Sequence, residues 1–283
     1  WWQVNIIKSL YNDKSARVGI FILLLLTVFS ILGPLLVDGS PSMLGDREHS
    51  MEQPSAEHIF GTDLLGRDVY TRLMYGGRSS VVAAAIAVLL SAIVGTVVGL
   101  LAGYGPCWLD RILMSLTDLM LVFPRIFLVL LLAAVTKPSL MLVIIVIGIT
   151  GWMSIARLVR SEVLSLKERD FVLAARGFGF SSIFIMSKHI LPHVLPVVLV
   201  SMALRLGNTI LLESFLSYLG LGVQHPEVSW GAMIEQGRSH LLEAWWLAAI
   251  PGIAITLTVL GSNLLGDGVR NILDPVSKGG EHE

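Results

Sequence analysis

The chain has 283 residues, of which 54% are hydrophobic and only 14% are charged, and its mean hydropathy is +0.75. Soluble domains carry about 25% charged residues, so this composition excludes a soluble globular enzyme, a disordered tail and a fibrous repeat. The net charge of −1 excludes a generally basic surface for nucleic acid, and the single cysteine, Cys107, excludes an internal disulfide framework. Because the chain begins with Trp1 and not with Met, we expect part of the native N-terminus to be missing.

Four long apolar stretches are free of Asp, Glu, Lys and Arg, at residues 18–37, 79–109, 138–156 and 244–266. A membrane-spanning helix needs roughly 20 such residues. Lipid allows only helices and closed barrels to span it, and these stretches are too long for barrel strands. They are therefore predicted to be helices. The first stretch is longer than the apolar part of a signal peptide and lacks a small-residue cleavage site, so it is predicted to be a retained span.

Two further apolar stretches carry charges in their interior. Residues 112–135 contain Asp118 and Arg125, and residues 193–221 contain Arg205 and Glu213. The sequence thus predicts an all-α integral membrane protein with six transmembrane helices, at about 18–37, 79–103, 112–135, 139–157, 194–219 and 244–266.

The basic residues predict the orientation of these spans. With an even number of spans, both termini lie on one side of the membrane. Placing them in the cytoplasm puts about twice as many Lys and Arg residues inside as outside, as membrane proteins prefer. The resulting segments are a cytoplasmic N-terminal segment (1–17), a first span (18–37), an outer loop (38–78), a core of five spans (79–266) and a cytoplasmic tail (267–283).

The long inner loop, residues 158–193, is predicted to be folded. Apolar residues at helical spacing indicate a short amphipathic helix, Gly177 and Gly179 provide a break, and Ser181 or Ser182 can cap a second short helix. The neighbouring alanines, Ala174 and Ala175, form a small-residue surface on which another backbone can approach closely. This pattern favours a docking element over the alternative, a basic loop lying on anionic lipid.

The segment AARGFGFSSIFIMSKHILP (174–192) resembles the EAA loop of ABC-importer permeases. The residues that match this pattern in register are Ala174, Ala175, Gly179, Leu191 and Pro192. The pattern's Glu and Ile positions hold Leu173 and His189, a departure that also occurs in the peptide and nickel branch of the family.

Three other segments resemble the same branch: FGTDLLGRDVYTRLMYGGRSS (60–80), SYLGLGVQHPEVSWGAMI (217–234) and NLLGDGVRNILDP (263–275). The chain is therefore similar to the C-type permease subunit of dipeptide, oligopeptide or nickel ABC importers. The resemblance implies a type I ABC-importer permease fold in a bacterial inner membrane, with residues 79–266 as the permease core and 158–193 as the loop that carries the coupling helix.

The resemblance also implies the partners. A second homologous permease chain completes a heterodimer, two ATPase subunits dock on the cytoplasmic side, and an extracytoplasmic binding protein delivers the cargo. The five matching loop residues, 174, 175, 179, 191 and 192, are then the ATPase-docking site. No cofactor is expected in this chain, because ATP and Mg²⁺ are bound by the ATPases. Contacts with membrane lipid are expected, and none with nucleic acid.

The sequence contains no phosphate-binding Gly-Lys-Ser/Thr, HExxH or GxSxG motif. We therefore expect no catalytic residue and a non-enzymatic subunit driven by partner ATPases. A channel or secondary carrier that works without an ATPase is the alternative class, and an intramembrane enzyme is a third.

Three polar residues of the fifth span, Arg205, Asn208 and Glu213, are candidates for lining the translocation path, since ionisable groups in spans usually face a cavity or the bundle interior. The alternative is a contact with another helix or with the partner permease.

In the outer loop, Asp63, Arg67 and Asp68 follow Thr62, a candidate N-cap, and Leu65, Val69 and Leu73 are spaced by four residues. This pattern predicts an interfacial helix on the outer membrane surface. Its charged residues serve either as a contact for the binding protein or as a structural turn.

The pair His189 and His193 has a spacing that suits a metal, but Pro192 and the lack of a third ligand argue against one, so no metal site is predicted. Cargo stays open among dipeptides, oligopeptides, glutathione-like peptides, antimicrobial peptides and nickel or a metal chelate, because the binding protein makes most of the selection.

Overall fold

The computed structural model describes residues 13–37, 45, 47–122, 124, 127, 128, 130, 131 and 137–273. Its helices are α1 (Lys14–Leu36), α2 (Val69–Tyr104), α3 (Cys107–Val122), α4 (Leu140–Leu166), α5 (Asp170–Gly177), α6 (Ser182–Ile185), α7 (Leu191–Tyr218), α8 (Trp230–Gly237) and α9 (Trp246–Leu273). Short 3₁₀ turns cover Arg47–His49 and Arg238–His240, and a π turn covers Met186–Ile190. Within the described residues the β structure is limited to one isolated bridge between Thr62 and Asp68.

Five helical segments are long and apolar enough to cross a membrane: Lys14–Leu35, Val69–Tyr104, Leu140–Leu166, Ser182–Tyr218 and Trp246–Val269. They coincide with five of the six predicted spans, and the all-α prediction is confirmed for the described part of the chain. The remaining predicted span, 112–135, coincides with α3 as far as Val122. Most of its second half, including Arg125, lies outside the described residues.

The helices are longer than the charge-free stretches suggested. α2 begins at Val69 and not near 79, and α4 continues to Leu166, past the predicted end at 157. Charged side chains lie within these extensions without ending the helix, and several of them are paired. Arg72 contacts Asp63, and Arg160 contacts Asp110. The loop helix expected to begin near 158 is thus the end of α4.

The predicted interfacial helix is wrong. Residues 61–68 form a compact turn in which Gly61 and Gly66 adopt positive φ, at 72° and 70°, which breaks the helical register. The Thr62 hydroxyl accepts from Glu52 N at 2.8 Å and so caps no helix. The residue that caps α2 is Asp68, whose Oδ2 accepts from Thr71 N at 2.8 Å.

The chain divides into two compact units. The first consists of residues Trp1–Ala85, Ala133–Ile144 and Leu204–Glu283. Its core is built around two buried indoles: Trp230 donates to Leu73 O at 2.9 Å, and Trp246 donates to Thr62 O at 3.2 Å. In the same unit α1 packs closely on α9, because a Cβ added at Gly19 would lie 2.6 Å from Gly261 O.

The second unit consists of residues Ile86–Leu132 and Ile145–Ala203. Gly95, Gly99 and Gly103 lie on successive turns of α2 and face α4. A Cβ added at Gly99 would lie 2.6 Å from Val159 Cβ and 2.7 Å from Ala156 O. Small residues at this spacing let two membrane helices approach each other closely. The spacing of Gly95 and Gly99 by four residues is typical of such a contact.

Candidate functional site

The candidate coupling segment, residues 167–193, begins where α4 ends. α5 follows as Asp170–Gly177, and the chain reverses at Gly179, whose φ is +80°. Ser181 then caps α6 by accepting from Phe184 N at 3.3 Å. The predicted glycine break and second short helix are confirmed, whereas the first predicted helix is divided between the end of α4 and α5. The second helix differs in one respect, since it continues through the π turn into α7 and Pro192 lies in the first turn of that helix.

One side of α5 is part of the core of the second unit. Val172 and Ala175 are buried there, together with Val159 and Val163 of α4 and with Val194 of α7. A spacing of three residues places Val172 and Ala175 on one helix face. Ala175 therefore does not present a small-residue surface to a partner, as the sequence suggested, but fills the inner side of the segment.

The other side of the coupling segment is apolar and exposed. Phe178 is 82% exposed and Ile183 is 75% exposed, and Leu173, Ala174 and Phe180 are exposed beside them. We call this set of five residues the outer apolar patch. It lies on two short helices and the turn between them. Gly179 is exposed, with open space around the position of a Cβ.

Aromatic and histidine rings fix the junction between α5 and α7. The Phe171 ring stacks on His193 with centroids 5.0 Å apart, and His193 Nδ1 lies 2.6 Å from His189 O. The Phe184 ring meets His189 edge-on. Both histidines are therefore used in packing. Within the described residues, no group of three or more His, Cys, Asp and Glu side chains could hold a metal ion.

A polar tether joins α5 to the end of α2. Arg176 Nε donates to the Tyr104 hydroxyl at 3.2 Å, and the guanidinium carbon lies 5.0 Å from the centroid of the Tyr104 ring. Such cation–π contacts at exposed sites contribute about 0.5–1 kcal/mol. The buried side of α5 thus holds the coupling segment to α4 and α7, and the tether holds it to α2.

The outer-loop residues form a buried ionic cluster in the first unit. Asp63 Oδ2 accepts from Arg67 Nε at 2.7 Å and also from Arg72 Nη1. Asp63 Oδ1 accepts from the backbone N–H groups of Leu65 and Arg67 at 2.8 and 2.9 Å. Arg72 Nη2 donates to Gln236 Oε1 at 2.8 Å, which ties α2 to α8.

The ionised form of Asp63 is favoured in this cluster. Burial alone would raise the pKa of its carboxyl, but the charge of Arg72, the backbone N–H groups of Arg67 and Leu65 and the charge of Arg67 together hold the pKa below its ordinary value. Because Asp63 and Arg67 are buried within the chain, their placement favours the structural turn over a direct contact with a delivering protein. Asp68 is partly exposed and lies near His58, with Oδ1 3.2 Å from His58 Nδ1.

Glu213, a candidate for path lining, is buried among serines of the first unit. Its Oε1 accepts from Ser217 at 2.8 Å, and Ser80 of α2 and Ser229 at the start of α8 hydrogen-bond to the same carboxylate. Ser229 also caps α8 by accepting from Ala232 N at 3.2 Å. This arrangement favours the alternative interpretation, in which Glu213 connects helices.

The other two path candidates differ in exposure: Asn208 is exposed and Arg205 is half-buried. Glu213 is buried among serines and Asn208 is exposed, so these two side chains have different surroundings. A role of Asn208 and Arg205 in the path stays a prediction.

Several polar contacts escaped the sequence analysis. Asp118, in the same predicted span as Arg125, contacts Arg157, with Oδ1 and Nη2 2.5 Å apart. Arg72 and Gln236 are 164 residues apart in the chain, and no local pattern links them. The only available signal was the position of Arg72 in an otherwise apolar helix.

Comparison with known proteins agrees with this architecture. Residues 95–278 match the family described as "Binding-protein-dependent transport system inner membrane component". The chain is 39% identical over 269 residues to the dipeptide transport system permease protein DppC of Bacillus subtilis, covering 95% of this chain and 84% of the relative. It is 37% identical over 265 residues to the probable D,D-dipeptide transport system permease protein DdpC of Escherichia coli, covering 94% and 88%.

A third relative is the glutathione transport system permease protein GsiD of Pectobacterium atrosepticum, 38% identical over 277 residues that cover 98% of this chain and 92% of the relative. The family match covers more than half of the chain, and these similarities extend over nearly all of it. Members of this family are multi-pass membrane subunits, generally without catalytic activity. The chain therefore belongs to the family of inner-membrane permease components of binding-protein-dependent ABC transport systems, in the branch that contains the dipeptide and oligopeptide permeases.

Proposed function

We propose that this chain forms, with a second homologous permease chain, the translocation path of an ATP-driven importer for small peptides. The assignment of small peptides as cargo rests on one observation. This chain is 37–39% identical to permeases named for dipeptides and D,D-dipeptides. The permease itself makes and breaks no covalent bond in this proposal. Its work is to change between inward-open and outward-open states by relative motion of helices around a central path.

The energy enters through the coupling segment. The outer apolar patch docks on one ATPase subunit, and the buried side of α5, with Val172 and Ala175, transmits the motion of that subunit to α4 and α7. The exposure of Phe178 and Ile183 supports this role, because apolar side chains that stand out from a helical turn are typical of interface anchors. ATP and Mg²⁺ are held by the two ATPase subunits, which supply the differential interaction that shifts the permease between states.

The five predicted docking residues have different tasks in this proposal. Ala174 lies on the docking side, and Gly179 makes the reversal that carries Phe178 outward. Ala175 supports α5 from within, while Leu191 and Pro192 begin α7 and fix the exit of the segment. A binding protein on the other side of the membrane delivers the cargo, and both termini of the chain lie in the cytoplasm.

Glutathione is a second candidate cargo, because one of the similar proteins is named for it. Glutathione is itself a short peptide, so the two candidates differ in selection and not in mechanism. The deciding experiment reconstitutes the importer with its binding protein and ATPases in vesicles and measures uptake of a labelled dipeptide. Unlabelled glutathione, longer peptides and nickel are competitors. We expect dipeptides to compete best. Uptake of none of the peptides would contradict the proposed cargo class.

The docking proposal is tested by a matched pair of variants. Ile183→Asp places a charge in the outer apolar patch, whereas Ile59→Asp places the same charge on an isoleucine that is 59% exposed in the other unit. We expect Ile183→Asp to reduce co-purification of the ATPase and peptide-stimulated ATP hydrolysis at least tenfold, and Ile59→Asp to leave both unchanged. Full ATPase binding by Ile183→Asp, with transport intact, would refute the docking role of the patch.

A further inference from the structure

A small cavity adjoins the ionic cluster of the first unit, between the beginning of α2 and α8. Its volume is about 20 Å³, and roughly 10–15 Å³ suffices for one water-sized particle. Its polar lining comes from Asp63, Arg72 and Gln236, and Leu64, Val69 and Met233 contribute apolar walls. The cavity therefore has room for a particle of one or two atoms and none for a peptide.

The Arg72 guanidinium is incompletely satisfied at this cavity. Its Nη1 donates to Asp63 and its Nη2 to Gln236. Its Nε finds no hydrogen-bond partner among the described residues. Arg72 is only 4% exposed, so bulk water does not replace the missing partner. Buried N–H groups are nearly always hydrogen-bonded, and the requirement is stronger for a charged donor. A ligand in the cavity would supply the acceptor.

The charge of the cluster identifies the kind of acceptor. Two buried guanidinium groups, those of Arg67 and Arg72, share the single carboxylate of Asp63. Among the residues that the structure describes, one positive charge is thus left uncompensated in a buried place, where charge is poorly tolerated. Both carboxylate oxygens are fully engaged by donors. The nearby Asp68 is committed to Thr71 and His58.

We propose that this cavity binds a monovalent anion of the size of chloride, with Arg72 Nε as its principal donor. The Gln236 amide gives its oxygen to Arg72 and therefore keeps its NH₂ group as a second donor. A water molecule would accept a hydrogen bond from Nε but would leave the excess positive charge. An anion would accept the hydrogen bond and also compensate the charge. Polyatomic oxyanions are too large for the cavity. The apolar walls suit a weakly hydrated halide.

The test compares thermal unfolding of the assembled importer in chloride and in gluconate, an anion too large for the cavity, at equal ionic strength. A ligand that binds only the folded state raises its stability by mass action. We expect the unfolding midpoint to rise saturably with chloride or bromide, by about 2–4 °C, and not with gluconate. Equal midpoints in chloride and gluconate would overturn the proposal.

Two variants remove the excess charge by independent means. Gln236→Glu supplies a built-in carboxylate beside Arg72, and Arg67→Gln removes one guanidinium while leaving Asp63 paired with Arg72. We expect both to abolish most of the chloride-dependent rise. An undiminished rise in both variants would assign the anion effect to another site and refute this one. Anomalous scattering from bromide-soaked crystals of the unmodified complex checks the position directly: a peak within hydrogen-bond distance of Arg72 Nε is expected, and a water peak there overturns the proposal.

Discussion

The guanidinium of Arg160 meets the carboxylate of Asp110 through two parallel hydrogen bonds, from Nε to Oδ1 at 2.5 Å and from Nη2 to Oδ2 at 2.7 Å. This bidentate pair joins α4 to α3 and is mostly shielded, with side-chain exposures of 33% and 23%. Bidentate Arg–carboxylate pairs are stronger than single ion pairs. We therefore expect Asp110→Asn to reduce the free energy of unfolding by about 1 kcal/mol.

The matched control for this pair is Asp118→Asn on the same helix. Asp118 contacts Arg157 through one hydrogen bond, with exposures of 64% and 50% for the two side chains. Exposed pairs contribute little, so we expect a change of less than about 0.5 kcal/mol. Denaturant titration of the purified subunit in mixed micelles measures both changes, and equal effects would contradict the distinction.

The close contact between α2 and α4 predicts the effect of a single methyl group. In Gly99→Ala the new Cβ would lie 2.6 Å from Val159 Cβ, so the helices must separate. We expect a loss of about 1–3 kcal/mol in the free energy of unfolding. Gly252→Ala is the control, since nothing lies within 4 Å of a Cβ there, and replacing a helical glycine should be neutral or stabilising. Thermal unfolding of the two variants, measured side by side, tests this prediction. An unchanged unfolding temperature in Gly99→Ala would show that the contact between α2 and α4 is loose.

The lowered pKa of Asp63 predicts how the stability of the folded protein responds to acid. Its pKa is lowered in the folded protein relative to the ordinary value of 3.8, so the folded state favours the ionised form. The stabilisation is complete above the unfolded pKa and is lost as the pH falls below about 4 through the folded pKa. Unfolding midpoints measured from pH 6 to pH 3 should therefore drop. They should drop less in Asp63→Asn, which starts about 3 kcal/mol less stable because two guanidinium groups lose their partner. A parallel acid response in both proteins would exclude Asp63 as its source.

The single cysteine offers a test of orientation. Cys107 is exposed at the start of α3, and the proposed topology puts it on the cytoplasmic side. We expect a membrane-impermeant maleimide to label it in inverted vesicles and not in whole cells. In a Cys107→Ser background, Ala56→Cys in the exposed outer loop should show the opposite pattern. Labelling of Cys107 from outside would reverse the topology, and with it the cytoplasmic placement of the coupling segment.

The spans and the coupling segment could be predicted because their signals are local. Long apolar stretches predict helices wherever lipid removes the alternatives, and Gly179 with Ser181 predicts the break and the new cap within the loop. The ends of the helices could not be read from charge, because Arg72 and Arg160 are partnered by Gln236 and Asp110, which lie on other helices.

The candidate site was predicted less completely for the same reason. A run of Ala174 and Ala175 looks like one small surface, but the helical rotation of about 100° per residue separates them, so that Ala174 is exposed and Ala175 faces the core. Asp63 and Arg67 looked like surface charges because the sequence shows only that they are polar. It does not show that Arg72 is buried beside them and contacts Asp63. Glu213 looked like a path residue because its serine partners Ser80 and Ser229 come from other segments of the chain.

The two-sided character of α5 has a consequence for how such subunits diversify. The residues that hold α5 to α4 and α7, among them Val172 and Ala175, are separate from those that point away, such as Phe178 and Ile183. In the proposed docking mode, outward side chains can therefore be exchanged to suit a different nucleotide-hydrolysing subunit without repacking the spans. Grafting the outward residues of one permease onto another should redirect ATPase choice while the membrane part, and the cargo it passes, stays the same.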